Sequence, residues 1–160
     1  MPKRSAGLLL YRCGPLGIEL LLTHPGGPYW RNKDDGAWGI AKGEYGDSED
    51  PQGEALREFT EETGFPPPDP PYIPLGEVRK KSGKVVVAWA AEGDLDPAAA
   101  VSNTVTIEWP PRSKTFIEIP EIDRVAWFAP DEAQRKVAEA EAPFIERLIE
   151  ALAGELVRVE

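Results

Sequence analysis

The residues in this 160-residue chain with most chemistry in them are glutamates at fixed spacing. In Arg57-Glu58-Phe59-Thr60-Glu61-Glu62-Thr63-Gly64-Phe65, Glu58, Glu61 and Glu62 stand at i, i+3 and i+4, and Glu54 lies one turn earlier. On a helix these positions share a face, with Cβ atoms roughly 5–6 Å apart. Carboxylates stacked this way repel, and the negative end of the helix dipole adds to the repulsion at Glu61 and Glu62. A local rule broken without compensation inside the helix points to function. A divalent cation is the natural compensation: clustered carboxylates present hard oxygens, and Mg²⁺ takes a few of them while keeping waters or substrate phosphates in its other positions. A solvated acidic surface is the competing reading of any Glu-rich helix.

The rest of the composition narrows the choice. His24 is the only histidine and Cys13 the only cysteine, so a conventional zinc site and an intrachain disulfide are both excluded. A metal here is held mainly by oxygen, which favours Mg²⁺, Mn²⁺ or Ca²⁺. The formal net charge of −10 repels phosphate backbones, so no nucleic-acid partner is expected, and an anionic substrate needs local cations. The apolar run Gly7–Tyr11 is too short for a secretory core or a membrane span. A cytoplasmic protein with no membrane partner, a monomer or homodimer of one domain spanning residues 1–160, is the expectation.

Elements must hold those glutamates. Residues 5–11 and 18–23 read as a hairpin across Gly14-Pro15-Leu16-Gly17, and 37–41 as a short third strand. Asp50 is a good N-cap, Pro51 a good first helical residue and Gly64 a natural terminator, which predicts a helix over 51–63, about 20 Å long at ~1.5 Å per residue. A proline-rich connector, 66–71, leads to strands over 72–80 and 85–92. The stretch 93–116 reads as a long loop with a possible strand at 105–109, and 125–128 as a strand. A polar helix is expected over 131–141, and a second one from Pro143, with Phe144, Leu148 and Leu152 on one face. Hairpins mixed with helices imply an α/β sandwich with a mixed sheet.

The spacing around the glutamates is more specific than the glutamates themselves. Gly43, Glu49, Arg57, Glu58, Glu61, Glu62 and Gly64 match every fixed letter of the Nudix box, so residues 43–65 resemble the signature of the Nudix hydrolase family. A random string of this composition matches with probability on the order of 10⁻⁷ per starting position, or about 10⁻⁵ over the chain. Phe59 and Phe65 stand where aliphatic residues are usual.

The resemblance implies an α/β/α sandwich, a loop–helix–loop that holds a metal, and Mg²⁺-dependent (Mn²⁺ possible) hydrolysis of a nucleotide pyrophosphate bond that releases a nucleoside monophosphate. It implies Glu58, Glu61 and Glu62 as metal ligands or base, the Gly43 carbonyl as a further ligand, and a bracing role for Glu49 and Arg57. A carboxylate beyond the box is also implied. Glu121, six residues before Trp127, is the choice, with Glu118 and Asp123 as rivals, and Glu58 or Glu121 is favoured as base.

Lys42 directly before Gly43 resembles the branch that cleaves diadenosine polyphosphates, which makes dinucleoside polyphosphates or nucleoside triphosphates the leading substrates. Lys42, Arg31, Lys33 and Lys81 are the chosen phosphate-binding cations, with Arg79 and Lys80 also available. Tyr29, Trp30, Trp89 and Trp109 can stack a base or simply pack the core. His24 reads as a turn residue or a phosphate contact. Other readings of the same scaffold are a non-catalytic nucleotide sensor, an enzyme acting on ADP-ribose or nucleotide sugars, and an isopentenyl diphosphate isomerase. The intact glutamate set argues against the sensor, and the shortage of Cys and His argues against the isomerase.

Overall fold

The computed structural model describes residues 3–159, and side chains as far as residue 154. Met1, Pro2 and Glu160, which the single-domain and leader expectations include, lie outside the described residues. One mixed sheet organises the chain. Its elements are β1 (Arg4–Gly14), β2 (Gly17–Pro25), β3 (Ala41–Glu44), β4 (Ile73–Arg79), β5 (Val85–Glu92) and β8 (Ile122–Phe128). The order is β4-β5-β1-β2-β8, with β3 paired to the first half of β1. Only the β1–β5 pairing is parallel; the others are antiparallel.

β1 is buried on both sides, and alternation along it divides two cores. Ala6, Leu8 and Leu10 pack with Ala55 and Phe59 of α1 (Pro51–Thr63). Leu9 and Tyr11 face the other way, against Ala133 of α2 (Pro130–Lys136) and Phe144, Ile145 and Leu148 of α3 (Ala142–Val159). Helices on both faces make the α/β/α sandwich. Leu152 packs against the same core as Phe144 and Leu148, as their i, i+4, i+8 spacing predicts. No helix among the described residues is long and apolar enough to cross a membrane.

Two local expectations fail because backbone pairing with distant residues overrides local pattern, and a third changes through a local hairpin. The third strand lies at Ala41–Glu44, not 37–41, because Trp38 and Gly39 form isolated bridges to Val137 and Thr23. That same contact stops the expected 131–141 helix at Lys136. The Trp38 N–H donates to the Lys136 carbonyl and the Ala138 N–H to the Trp38 carbonyl, leaving a 3-10 turn at Glu139–Glu141. The stretch 93–116 ends in a two-stranded ribbon, β6 (Thr104–Glu108) with β7 (Phe116–Pro120), of which only the first strand was expected.

Candidate active site

Local chemistry sets α1 in place. The Asp50 carboxylate accepts the Gly53 N–H at 3.0 Å, and Pro51 opens the helix. Gly64 ends it at φ 79°, where a side chain would be strained, and an added Cβ would meet the Val101 carbonyl oxygen at 2.9 Å. Phe59 and Ala55 anchor the helix to the sheet, so Glu54, Glu58 and Glu62 are carried into buried positions at i, i+4 and i+8. Arg57 ties two of these acids, Glu54 and Glu58, to Glu61 on the outer flank. Its guanidinium binds Glu54 through two nitrogens, donates to Glu58 at 2.9 Å and pairs with Glu61.

Glu121 arrives from the link between β7 and β8. Its N–H donates to the Asn103 carbonyl at 3.0 Å, its carbonyl accepts from Gly26 at 2.9 Å, and Asn103 Nδ2 donates to its carboxylate at 3.2 Å. These ties aim it at α1: Glu58, Glu62 and Glu121 each bring a carboxylate oxygen to within 4.8 Å of the others. Gly43 of β3 closes the fourth side. Any Cβ there would overlap the Glu58 carboxyl group, so glycine is what lets that side chain lie against the strand.

The electrostatics of this cluster are uncompensated. Burial first, then the Glu61 charge, pushes the Glu58 carboxyl up to about 7, against the opposing pull of Arg57. Burial pushes Glu62 up to about 9, with Glu121 and Glu58 adding to the rise and Lys42 opposing it. Hard oxygen donors, converging and short of positive charge, fit a divalent cation.

The cluster lines a cleft of about 470 Å³. One side is apolar, with Pro25, Trp30, Trp38 and Ile122. Another side is basic. Lys42 and Lys80 both reach Glu141, with Nζ to Oε2 distances of 3.1 and 3.3 Å, and the Ile40 N–H donates to the same carboxylate at 3.0 Å. Glu141 is 1 % exposed. Burial alone would raise its pKa, but Lys42 and Lys80 outweigh burial and hold it below the ordinary carboxylate value. Burial opposes the Lys42 charge too, yet Glu141 and Glu62 leave its pKa raised, whereas burial and the Lys42 charge bring Lys80 down.

Of the residues singled out from sequence, Glu58, Glu62, Glu121, Gly43, Lys42, Lys80 and Trp30 line this cleft. Glu61 stays beside Arg57 on the outer flank of α1, outside the three-oxygen cluster. Glu49 closes its own loop, accepting the Gly46 N–H at 3.0 Å. Arg31 lies in a separate groove with Trp109 and Glu118, and Lys81 in another with Arg147. Lys33 stands 3.6 Å from the centre of the Tyr29 ring. Trp89 packs against the α1-side core. Asp123 engages His24 Nδ1 at 2.8 Å, while His24 Nε2 meets the Lys33 carbonyl at 2.6 Å, so the histidine ties the 25–37 loop to β8. Glu141, Lys84 and Ser5 also line the cleft and were not singled out. Glu141 gave no signal, since it sits in an alternating Ala-Glu run that reads as solvated helix.

Comparison with family models matches residues 1–148 to the NUDIX domain. The chain belongs to that family. A search of curated proteins found no match. Among solved structures, this Nudix protein resembles a Caenorhabditis elegans Ap4A hydrolase binary complex, with 20 % identity, TM-score 0.66, and 94 % of this chain and 98 % of that one covered. It also resembles the NUDIX domain of Shewanella oneidensis NrtR complexed with ADP ribose, with 20 % identity, TM-score 0.65, and 95 % and 89 % covered. A mutT/nudix family protein from Listeria innocua gives 20 % identity, TM-score 0.65, and 98 % coverage of both chains. Nudix enzymes generally use a divalent metal, and the acidic cluster of this chain lies where such an ion would be held.

Proposed function

We propose that this Nudix enzyme cuts a phosphoanhydride bond of a nucleoside polyphosphate, with dinucleoside polyphosphates and nucleoside triphosphates as the leading substrates and a nucleoside monophosphate as one product. The observation that carries the reading is the convergence of Glu58, Glu62 and Glu121 in a cleft whose other wall is lysine. Those three carboxylates, with the Gly43 carbonyl beside them, would hold Mg²⁺ or Mn²⁺. When bound, the cation supplies charge neutralisation and Lewis acidity toward the phosphate oxygens.

The chain's own groups do the rest. Glu58, whose carboxyl lies against Gly43 in the cleft, accepts a proton from the attacking water. The water oxygen bonds to phosphorus, the bridging P–O bond breaks, and its electrons leave with the departing phosphate. Lys42 meets the growing negative charge as a point donor. Arg57 keeps the glutamates of α1 from splaying, and Glu61 assists through that clamp. Trp30 offers a face to the base from the apolar wall.

The test is a panel of diadenosine tetraphosphate, common and oxidised triphosphates and ADP-ribose, each with Mg²⁺ and with EDTA, and the products separated by ion exchange. Mg²⁺-dependent monophosphate release from a polyphosphate is the expected result. ADP-ribose as the sole substrate would overturn the substrate reading. Tight binding of one nucleotide without turnover of any would establish a sensor instead.

A further inference from the structure

Of the three clustered acids, Glu58 and Glu62 belong to α1 and Glu121 does not. Its reach to them depends on a short strap, residues 101–103. A helix ends in carbonyls that have no partner inside it. The strap supplies two partners: the Val101 N–H donates to the Thr63 carbonyl at 2.9 Å, and the Asn103 N–H to the Glu61 carbonyl at 2.8 Å. The other side of the strap holds the segment that carries Glu121. The Asn103 carbonyl accepts the Glu121 N–H at 3.0 Å, and the Ser102 hydroxyl oxygen accepts the Ile122 N–H at 3.0 Å.

The β6–β7 ribbon brings the two ends of this arrangement together. Its strands pair with Thr104 opposite Pro120, so the next pair outward is Asn103 and Glu121. The chain leaves the end of α1, makes a hairpin, and returns to the residue from which it left. The side chains then meet as well, because Asn103 Nδ2 donates to Glu121 Oε2 at 3.2 Å. A carboxamide offers a donor without a charge. It fixes the direction of a carboxylate and leaves the negative charge for a cation, whereas a lysine or arginine in its place would neutralise that charge. Asn103 thus bonds in three directions: to the end of the acid-bearing helix, to the backbone of Glu121, and to its carboxylate.

We propose that Asn103 is the positioning residue for Glu121, that it sets the separation of this carboxylate from Glu58 and Glu62, and that the affinity of the cluster for a divalent cation depends on it. The ribbon serves the same end by returning the chain to Asn103. This rests on the cation-holding cluster of the reading above and adds a group whose effect passes through Glu121.

Calorimetric titration of the whole, nucleotide-free protein with Mn²⁺ reads the affinity without turnover. Asn103→Ala is expected to weaken Mn²⁺ binding by about tenfold or more, the range for groups that hold a metal ligand. Its main-chain bonds are kept, so Tm is expected to move by less than about 4 °C. Thr106→Ala, on the exposed face of the ribbon, is expected to leave the affinity unchanged. The decisive comparison is a double-mutant cycle. Once Glu121→Ala has removed the carboxylate, adding Asn103→Ala is expected to change the affinity by less than about twofold. A merely structural asparagine would act equally in both backgrounds. If Asn103→Ala does not fold, Asn103→Leu, of similar shape and without the donor, takes its place in the cycle.

An affinity unmoved by Asn103→Ala, or an equal loss with and without Glu121, overturns the positioning role. If the nucleotide panel also shows turnover, the hydrolase reading stands and only this role falls. Mn²⁺ binding that depends on Asn103 through Glu121, without turnover of any nucleotide, keeps the role and overturns the hydrolase. A wild-type protein that neither binds Mn²⁺ nor turns over a nucleotide overturns both.

Discussion

Glu62 and Glu141 face the same cleft, are the same residue type and are equally hidden, at 4 % and 1 % exposure. Their carboxyls nevertheless move in opposite directions, Glu62 up to about 9 and Glu141 below the ordinary value. Burial acts alike on both. What differs is the company: two lysines and a backbone N–H meet Glu141, whereas at Glu62 burial and two further carboxylates outweigh the pull of Lys42. One wall carries its compensation inside the fold, and the other awaits it from solution. A buried charge is thus structural or functional according to where its counter-ion comes from.

The sharpest way to break that contrast is to strip the self-compensated wall. Glu141→Ala leaves Lys42 and Lys80 facing each other without an anion, and is expected to destabilise the protein by about 3 kcal/mol. Urea unfolding reads this directly, and an unmoved midpoint would show that the lysines find solvent without Glu141. On the acid wall the effect belongs to activity. Glu62→Gln is expected to lower Mg²⁺-dependent kcat/KM by more than about a hundredfold, beyond the 10–100-fold typical of groups one step from a metal. A near-native rate in that variant would remove Glu62 from the reaction centre. Gly43→Ala disturbs the same wall without altering its charge, because the new methyl overlaps the Glu58 carboxyl. A displacement of that kind is expected to slow turnover by about 10–100-fold with folding cooperativity kept. An unaffected rate would mean that Glu58 works from another rotamer.

The smallest expected effect is the pH dependence of stability in EDTA. Glu58 and Glu62 have folded pKa values above the unfolded ones, so the folded protein binds extra protons through the neutral range. Their contribution is full below the ordinary carboxylate range and is lost as pH rises toward about 9. Glu141 runs oppositely, with a contribution present at neutral pH and lost only as acid reaches its lowered pKa. The metal-free Tm is expected to fall by at least about 3 °C between about pH 6 and about pH 9, near 1 kcal/mol. Glu62→Gln should flatten that slope, and Mg²⁺ should raise Tm more at the alkaline end. A slope identical in wild type and Glu62→Gln would place its origin elsewhere.

The acid wall was largely legible before the fold was known, and the basic wall was not. Helix α1 announces itself locally: the Asp50 cap, Pro51, the acid spacing and Gly64 all act within a few residues of one another. Glu121 needed the family resemblance, because nothing local distinguishes it from Glu118 or Asp123. Its place comes from Asn103 and Gly26, far away in sequence. Glu141 was out of reach. Its burial depends on Trp38 pairing with Lys136 and Ala138, which breaks a helix that Ala and Glu would otherwise extend. Lys80 read only as an available phosphate-binding cation, and nothing local tied it to Glu141. Sequence periodicity reports what a segment prefers, and these residues are set by which segment arrives opposite.

The span of those contacts gives the site a temporal property. Glu58 meets Glu121, and Lys42 meets Glu141, across long stretches of the chain. During synthesis, α1 and its glutamates emerge long before either partner, and closing loops of that length is slow compared with forming one helix. The emerging chain cannot assemble the cation-binding cluster until Glu121 has emerged, nor neutralise the lysine wall until Glu141 has. The acid cluster and the neutralised lysine wall therefore exist together only in a chain whose synthesis has passed Glu141, so the two halves of the cleft are completed in sequence, acids first.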